Sequence, residues 1–152
     1  MINPMQAAYV RILRKIKQKA DGESELAKEL VNEGIEKLLD RFAEEPGIIE
    51  ASRKLYATTI KSYKTSNQIL SDIAKDGSQL LFNKFKKSAC AEIFLIYSSA
   101  IIQYLTLNDE ERAQSTTDAA VAFFNQIDCP EQAINIAKVL KDPKSKSAIK
   151  LF

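Results

Sequence analysis

The chain has 152 residues, 45% of them hydrophobic and 28% charged, with four glycines, four prolines, two cysteines and no histidine. One domain is expected at this length, and so little Gly and Pro argues against turn-rich β architectures. The missing histidine removes the commonest general base and the commonest transition-metal ligand, while the formal net charge of +2 gives no strong bias toward a partner of either sign.

Stops fall at Asp21-Gly22, Glu45-Pro46-Gly47, Asp76-Gly77, Asn108, Asp128-Cys129-Pro130 and Asp142-Pro143, separating six segments of helical period and no convincing strand. The first helix starts with Asn3 as cap and Pro4 at the first helical position. Its inner stripe is Met5, Ala8, Tyr9, Ile12, Leu13 and Ile16, opposite Arg11, Arg14 and Lys15. The second, about 24–44, buries Leu26, Leu30, Val31, Leu38 and Phe42 and lines Glu25, Glu29, Glu33, Glu36 and Asp40 along its other side. Gly34, inside this helix, marks a close helix approach or else simply weakens the helix.

The third segment, 47–75, repeats Ile49, Tyr56, Tyr63 and Leu70 every seven residues, a coiled-coil-like seam read as one long helix, with a kink or break near Thr65-Ser66-Asn67 as the alternative. The fourth, 78–107, begins at Ser78 as cap and holds the most apolar stretch, Ile93–Leu107. An uncharged run of 16 residues from Ile93 to Asn108 is short for a membrane span, so a buried central helix is expected. Asn108, followed by Glu111, caps a fifth helix that buries Ala113, Thr117, Ala120, Val121, Phe124 and Ile127. The sixth, about 130–141, points Ala133, Ile134, Ala137 and Leu140 inward, and 143–152 is a short basic tail.

Little in the chain reads as chemistry. There is no Gly-rich phosphate loop, no Cys-x-x-Cys and no nucleophile elbow. A di-iron bundle site needs Glu-x-x-His pairs, which a chain without histidine cannot supply. The glutamates of the second helix lie opposite its apolar stripe and face water. Cys90 sits in apolar surroundings that raise a thiol pKa; Cys129, before Pro130 at a helix start, is the better thiol candidate. No metal, cofactor or catalytic residue is expected. Met1 to Ala20 lacks the apolar core of a signal peptide, and reduced thiols in a cytoplasm are expected.

Charge placement is the informative feature. Residues 1–20 carry five basic and no acidic side chains; 21–50 carry three and ten; 51–90, eight and two; 91–140, two and seven; 141–152, four and one. Either opposed blocks on neighbouring helices guide their packing, or the positive blocks converge on a phosphate backbone. The second account would use Arg11, Arg14, Lys15, Arg53, Lys54, Lys61, Lys64, Lys84, Lys86 and Lys87.

The expectation is a compact, soluble all-α bundle of five to seven helices around the hydrophobic helix 78–107, a single domain over 1–152. Its expected role is a non-catalytic protein-interaction module or helical subunit of a larger assembly, of adaptor, inhibitor or immunity type. The acidic stripe would meet a basic partner surface, with self-association also open and no membrane contact. The alternative is a nucleic-acid-binding accessory subunit.

Overall fold

The computed structural model describes residues 3–142, which form seven α-helices and one 3-10 turn with no strand among them. The helices are α1 (Pro4–Lys19), α2 (Leu26–Phe42), α3 (Ile48–Lys61), α4 (Ile69–Phe85), α5 (Cys90–Thr106), α6 (Glu110–Gln126) and α7 (Pro130–Lys141), with the 3-10 turn at Lys86–Ala89 between α4 and α5. The all-α helical bundle expected from periodicity is present. The basic tail 143–152 lies outside the described residues.

Local chemistry explains where α1, α2 and α6 begin. Asn3 Oδ1 accepts the Met5 N–H at 2.7 Å, with Pro4 at the first helical position, where its missing N–H costs nothing. Asp21 Oδ1 accepts the N–H groups of Glu23 and Ser24 at 3.0 and 2.8 Å, a turn that leads into α2. Asn108 does not cap α6. It takes a positive φ of 61° at the end of α5, and Asp109 becomes the cap, accepting the Arg112 N–H at 3.0 Å.

The segment 47–75 breaks where its middle lacks apolar residues, between Lys61 and Ile69. The break is tied down by hydrogen bonds from three directions. Lys64 N–H donates to the Gly22 carbonyl at 2.9 Å, the Tyr104 hydroxyl to the Asn67 carbonyl at 2.6 Å, and the Ser66 hydroxyl to Asp109 Oδ2 at 2.6 Å. Gln103 also donates to the Tyr63 carbonyl at 2.8 Å. Backbone groups freed by ending a helix thus find partners in the Gly22 turn and on α5, as burial requires.

Three boundaries and two inward positions differ from the sequence expectation. The chain does not stop at Asp76-Gly77, and Ser78 is not a cap: α4 runs through both. Gly77 is there because a Cβ would lie 2.9 Å from the Tyr56 ring, so the residue serves packing rather than a turn. The interruption falls instead at Lys86, with φ 54°, which divides 78–107 and leaves α5 as the central apolar helix. Leu26 opens α2 and is 39% exposed, while Ala27, Val31, Ile35 and Leu38 form the inner stripe. Ile134 is 61% exposed, because α7 turns Ala133, Ile136 and Val139 inward.

Helix α5 packs against α3 and α4 on one side and α6 and α7 on the other, which accounts for its being apolar nearly all round. Helices α1 and α2 pair with each other and lie on α3. Counted across the 3-10 turn, Ile69–Thr106 is long and apolar enough to cross a membrane by length and composition, and 61% of its most apolar window is buried by the rest of the bundle. Each fully buried Leu or Ile contributes ~1.5–3 kcal/mol, against ~0–1 kcal/mol for an exposed ion pair, so this core and not surface charge holds the helices together.

Candidate functional site

Helix α2 presents two faces. Val31, Ile35, Leu38 and Phe42 recur at three- and four-residue steps and are buried, which turns Glu25, Glu29, Glu33, Glu36 and Asp40 outward, all of them exposed. The predicted acidic stripe is therefore a solvent-facing ridge. Two of its members are paired within the helix: Lys28 Nζ lies 3.5 Å from Glu25 Oε1, and Lys37 Nζ 3.0 Å from Glu33 Oε1. The Lys37 hydrogen bond and charge, with a smaller pull from Lys15 on α1, hold the Glu33 carboxyl below its ordinary range. Glu29, Glu36 and Asp40 have no ion pair among the described residues.

Helix α1 meets α2 at Gly34, where a Cβ would lie 2.7 Å from Ile12 Cγ2. Of the two readings of this glycine, the close helix approach is the one present. Beside it lies a groove of about 360 Å³, with Ala8, Ile12, Leu38 and Phe42 as its apolar lining and Arg11, Lys37, Asp40 and Arg41 as its charged rim. The Arg41 guanidinium stands 4.8 Å from the centre of the Phe42 ring, within cation–π range. A second depression shares Arg11, Ile12, Gly34 and Lys37 and adds Lys15, Leu30 and Glu33. On the other flank of α2, Glu36 and Asp40 share a hollow with Leu80, Asn83 and Lys84 of α4.

The basic residues are interleaved with acids. Arg11 and Lys15 border the α2 groove beside Asp40 and Glu33, while Arg14 is exposed on the outer side of α1. Arg53, only 13% exposed, has its Nε 2.7 Å from Glu92 Oε2 on α5, and Lys54 Nζ is 3.2 Å from Glu50 Oε1. Lys61 is partly desolvated, which pulls its pKa down with help from the Arg53 charge. Lys64 is exposed at the α3–α4 break, next to Gly22. Lys84 adjoins Glu36 and Asp40, Lys86 lies 5.7 Å from the centre of the Phe82 ring, and Lys87 Nζ is 3.6 Å from Asp128 Oδ2.

Sequence reading missed Lys37, Arg41 and Ile12 as members of one surface. Gly34 was the available signal, but a helical glycine does not say which neighbour crosses it. Among the described residues, no group of three or more Cys, Asp and Glu side chains is placed to hold a metal ion. Comparison with known proteins finds no family model, no curated protein and no solved structure that matches the chain.

Proposed function

We propose that the chain is a non-catalytic, cytoplasmic protein-interaction module that receives a protein partner on the α1–α2 face, as a subunit of an assembly or as an inhibitor- or immunity-type binder. One observation carries this reading: an exposed acidic ridge, three of whose five carboxylates lack an ion pair among the described residues, borders a groove with an apolar floor and a rim of both signs. Apolar centre and charged rim are the anatomy of protein interfaces, and arginine beside an aromatic ring is a frequent anchor in them. The partner surface is basic where it meets Glu29, Glu36 and Asp40, and apolar where it enters the groove.

The phosphate-binding alternative draws less support. Arg53, Lys54 and Lys87 have carboxylate partners within 4 Å, and Arg11, Lys15 and Lys84 adjoin acids, which oppose the field a phosphate backbone would need.

The test uses the full tagged chain in lysate of its native source, alongside Glu29→Lys/Glu36→Lys and a control, Gln114→Lys/Asp118→Lys on α6. A partner retained by the parent and the control but weakened tenfold or more by the α2 variant supports the reading. Equal retention by all three, or no partner at all, overturns it. Short RNA or DNA shifted at low salt, and released by Arg11→Glu/Lys15→Glu, would put the alternative in its place.

A further inference from the structure

The two cysteines are 39 residues apart in sequence, yet their sulfurs are 2.9 Å apart, and both are free thiols. Cys90 is the first residue of α5, following directly on the 3-10 turn. Cys129 is the residue before Pro130 at the start of α7. Backbone hydrogen bonds fix this second position: Cys129 N–H donates to the Phe124 carbonyl at 2.8 Å, and its own carbonyl accepts from Gln132 and Ala133 at 3.1 and 3.2 Å. The same two turns are joined a second time by Lys87, whose Nζ lies 3.3 Å from the Asp128 carbonyl oxygen and 3.6 Å from its carboxylate.

We propose that Cys90 and Cys129 form a reversible dithiol–disulfide site, oxidised by low-molecular-weight disulfides of the glutathione class and closing without rearrangement of the bundle. Closing the bond brings the sulfurs less than an ångström nearer, to about 2.05 Å. The two thiols differ in access, which orders the steps. Cys90 is buried, and desolvation, reinforced by the neighbouring Cys129, pushes its thiol up to about 12. Cys129 is half-buried, the more exposed of the two, and on this proposal its sulfur meets the external reagent first.

In the first step Cys129 Sγ, having released its proton to water, attacks one sulfur of the small disulfide. A mixed disulfide forms and one small thiolate leaves, taking up a proton. In the second, Cys90 Sγ attacks Cys129 Sγ; the mixed disulfide breaks, and the Cys90 proton passes to the departing second small thiolate. Two thiols of the chain are oxidised, one small disulfide is reduced to two thiols, and the electrons balance. Excess small thiol reverses both steps.

The product staples the start of α5 to the start of α7. Closing so long a loop restricts the unfolded chain, and a rise in melting temperature on the order of 5–10 °C is expected. The experiment treats the folded chain with glutathione disulfide and reads intact mass, free thiols and melting temperature, with Cys90→Ser and Cys129→Ser alongside. Expected are a monomer lighter by two hydrogens with no free thiol and a raised melting temperature, reversed by reduced glutathione.

Cys90→Ser should instead keep one stable glutathione adduct on Cys129. Cys129→Ser should stay unmodified while folded, since Cys90 alone is shielded. Two glutathione adducts on the parent chain, chains linked to each other through disulfides, or equal reactivity of Cys90 in the presence and absence of Cys129 would each overturn the proposal. Because Cys129 is half-buried, Cys129→Ser supplies the test even if Cys90→Ser fails to fold.

Discussion

Gly77 of α4 packs so close to Tyr56 of α3 that a Cβ at Gly77 would sit 2.9 Å from two ring carbons. The ring cannot easily yield: Tyr56 is fully buried, and its hydroxyl lies 3.4 Å from Asn32 Oδ1 on α2. Gly77→Ala would gain about 1 kcal/mol of helix propensity and lose about 1–3 kcal/mol to overpacking. A net loss of up to about 2 kcal/mol in urea unfolding is expected, and a stabilised variant would show that the ring has room to move. Glu92 offers a second residue-scale test. It is the closest partner of the nearly buried Arg53, whose other carboxylate, Glu50, stands 3.9 Å away. Glu92→Gln should cost about 1–3 kcal/mol, because a desolvated guanidinium loses its charge partner. Lys37→Gln on the exposed Glu33 pair should leave the unfolding midpoint nearly unchanged in the same assay.

At the scale of elements, the break between α3 and α4 was only half legible: Thr65-Ser66-Asn67 lacks apolar residues and is rich in side chains that compete for backbone hydrogen bonds, but the seven-residue repeat running through it favoured one long helix. The false stop at Asp76-Gly77 arose because a glycine required by packing and one required by a turn look alike in sequence. Asp109 shows what holds one element end. Its carboxylate caps α6, accepts from Ser66 at 2.6 Å and meets the Arg112 guanidinium at 2.9 Å. The Ser66 hydroxyl is the largest cause, with the Arg112 N–H and guanidinium, of a pKa lowered from 3.8 to about 2. A carboxylate favoured in this way stabilises the folded chain fully above pH 3.8, and the contribution disappears as the pH falls through about 2. Asp109→Asn should therefore melt lower than the parent at neutral pH and converge toward it between pH 4 and 2, to the extent of about one capping interaction. Parallel acid limbs for the two proteins would assign that window to other groups, Asp21 among them, whose carboxyl is also drawn down to about 2 by Ser24.

For the whole molecule, the amino-acid sequence by itself determined the class of the fold and most of its helices. Periodicity of 3.6 residues, caps such as Asn3-Pro4 and the scarcity of glycine and proline are local properties, and local sterics and hydrogen bonding suffice to express them. It also determined that the acids of α2 face outward, because an amphipathic helix has one way to bury its apolar stripe. Only the tertiary structure decided that Gly34 admits Ile12, that Arg53 finds Glu92, that the basic blocks interleave with acids, and that Cys90 touches Cys129. Each of these depends on which helices become neighbours and at what register. That choice follows from the simultaneous packing of many side chains and is carried by no single stretch of sequence.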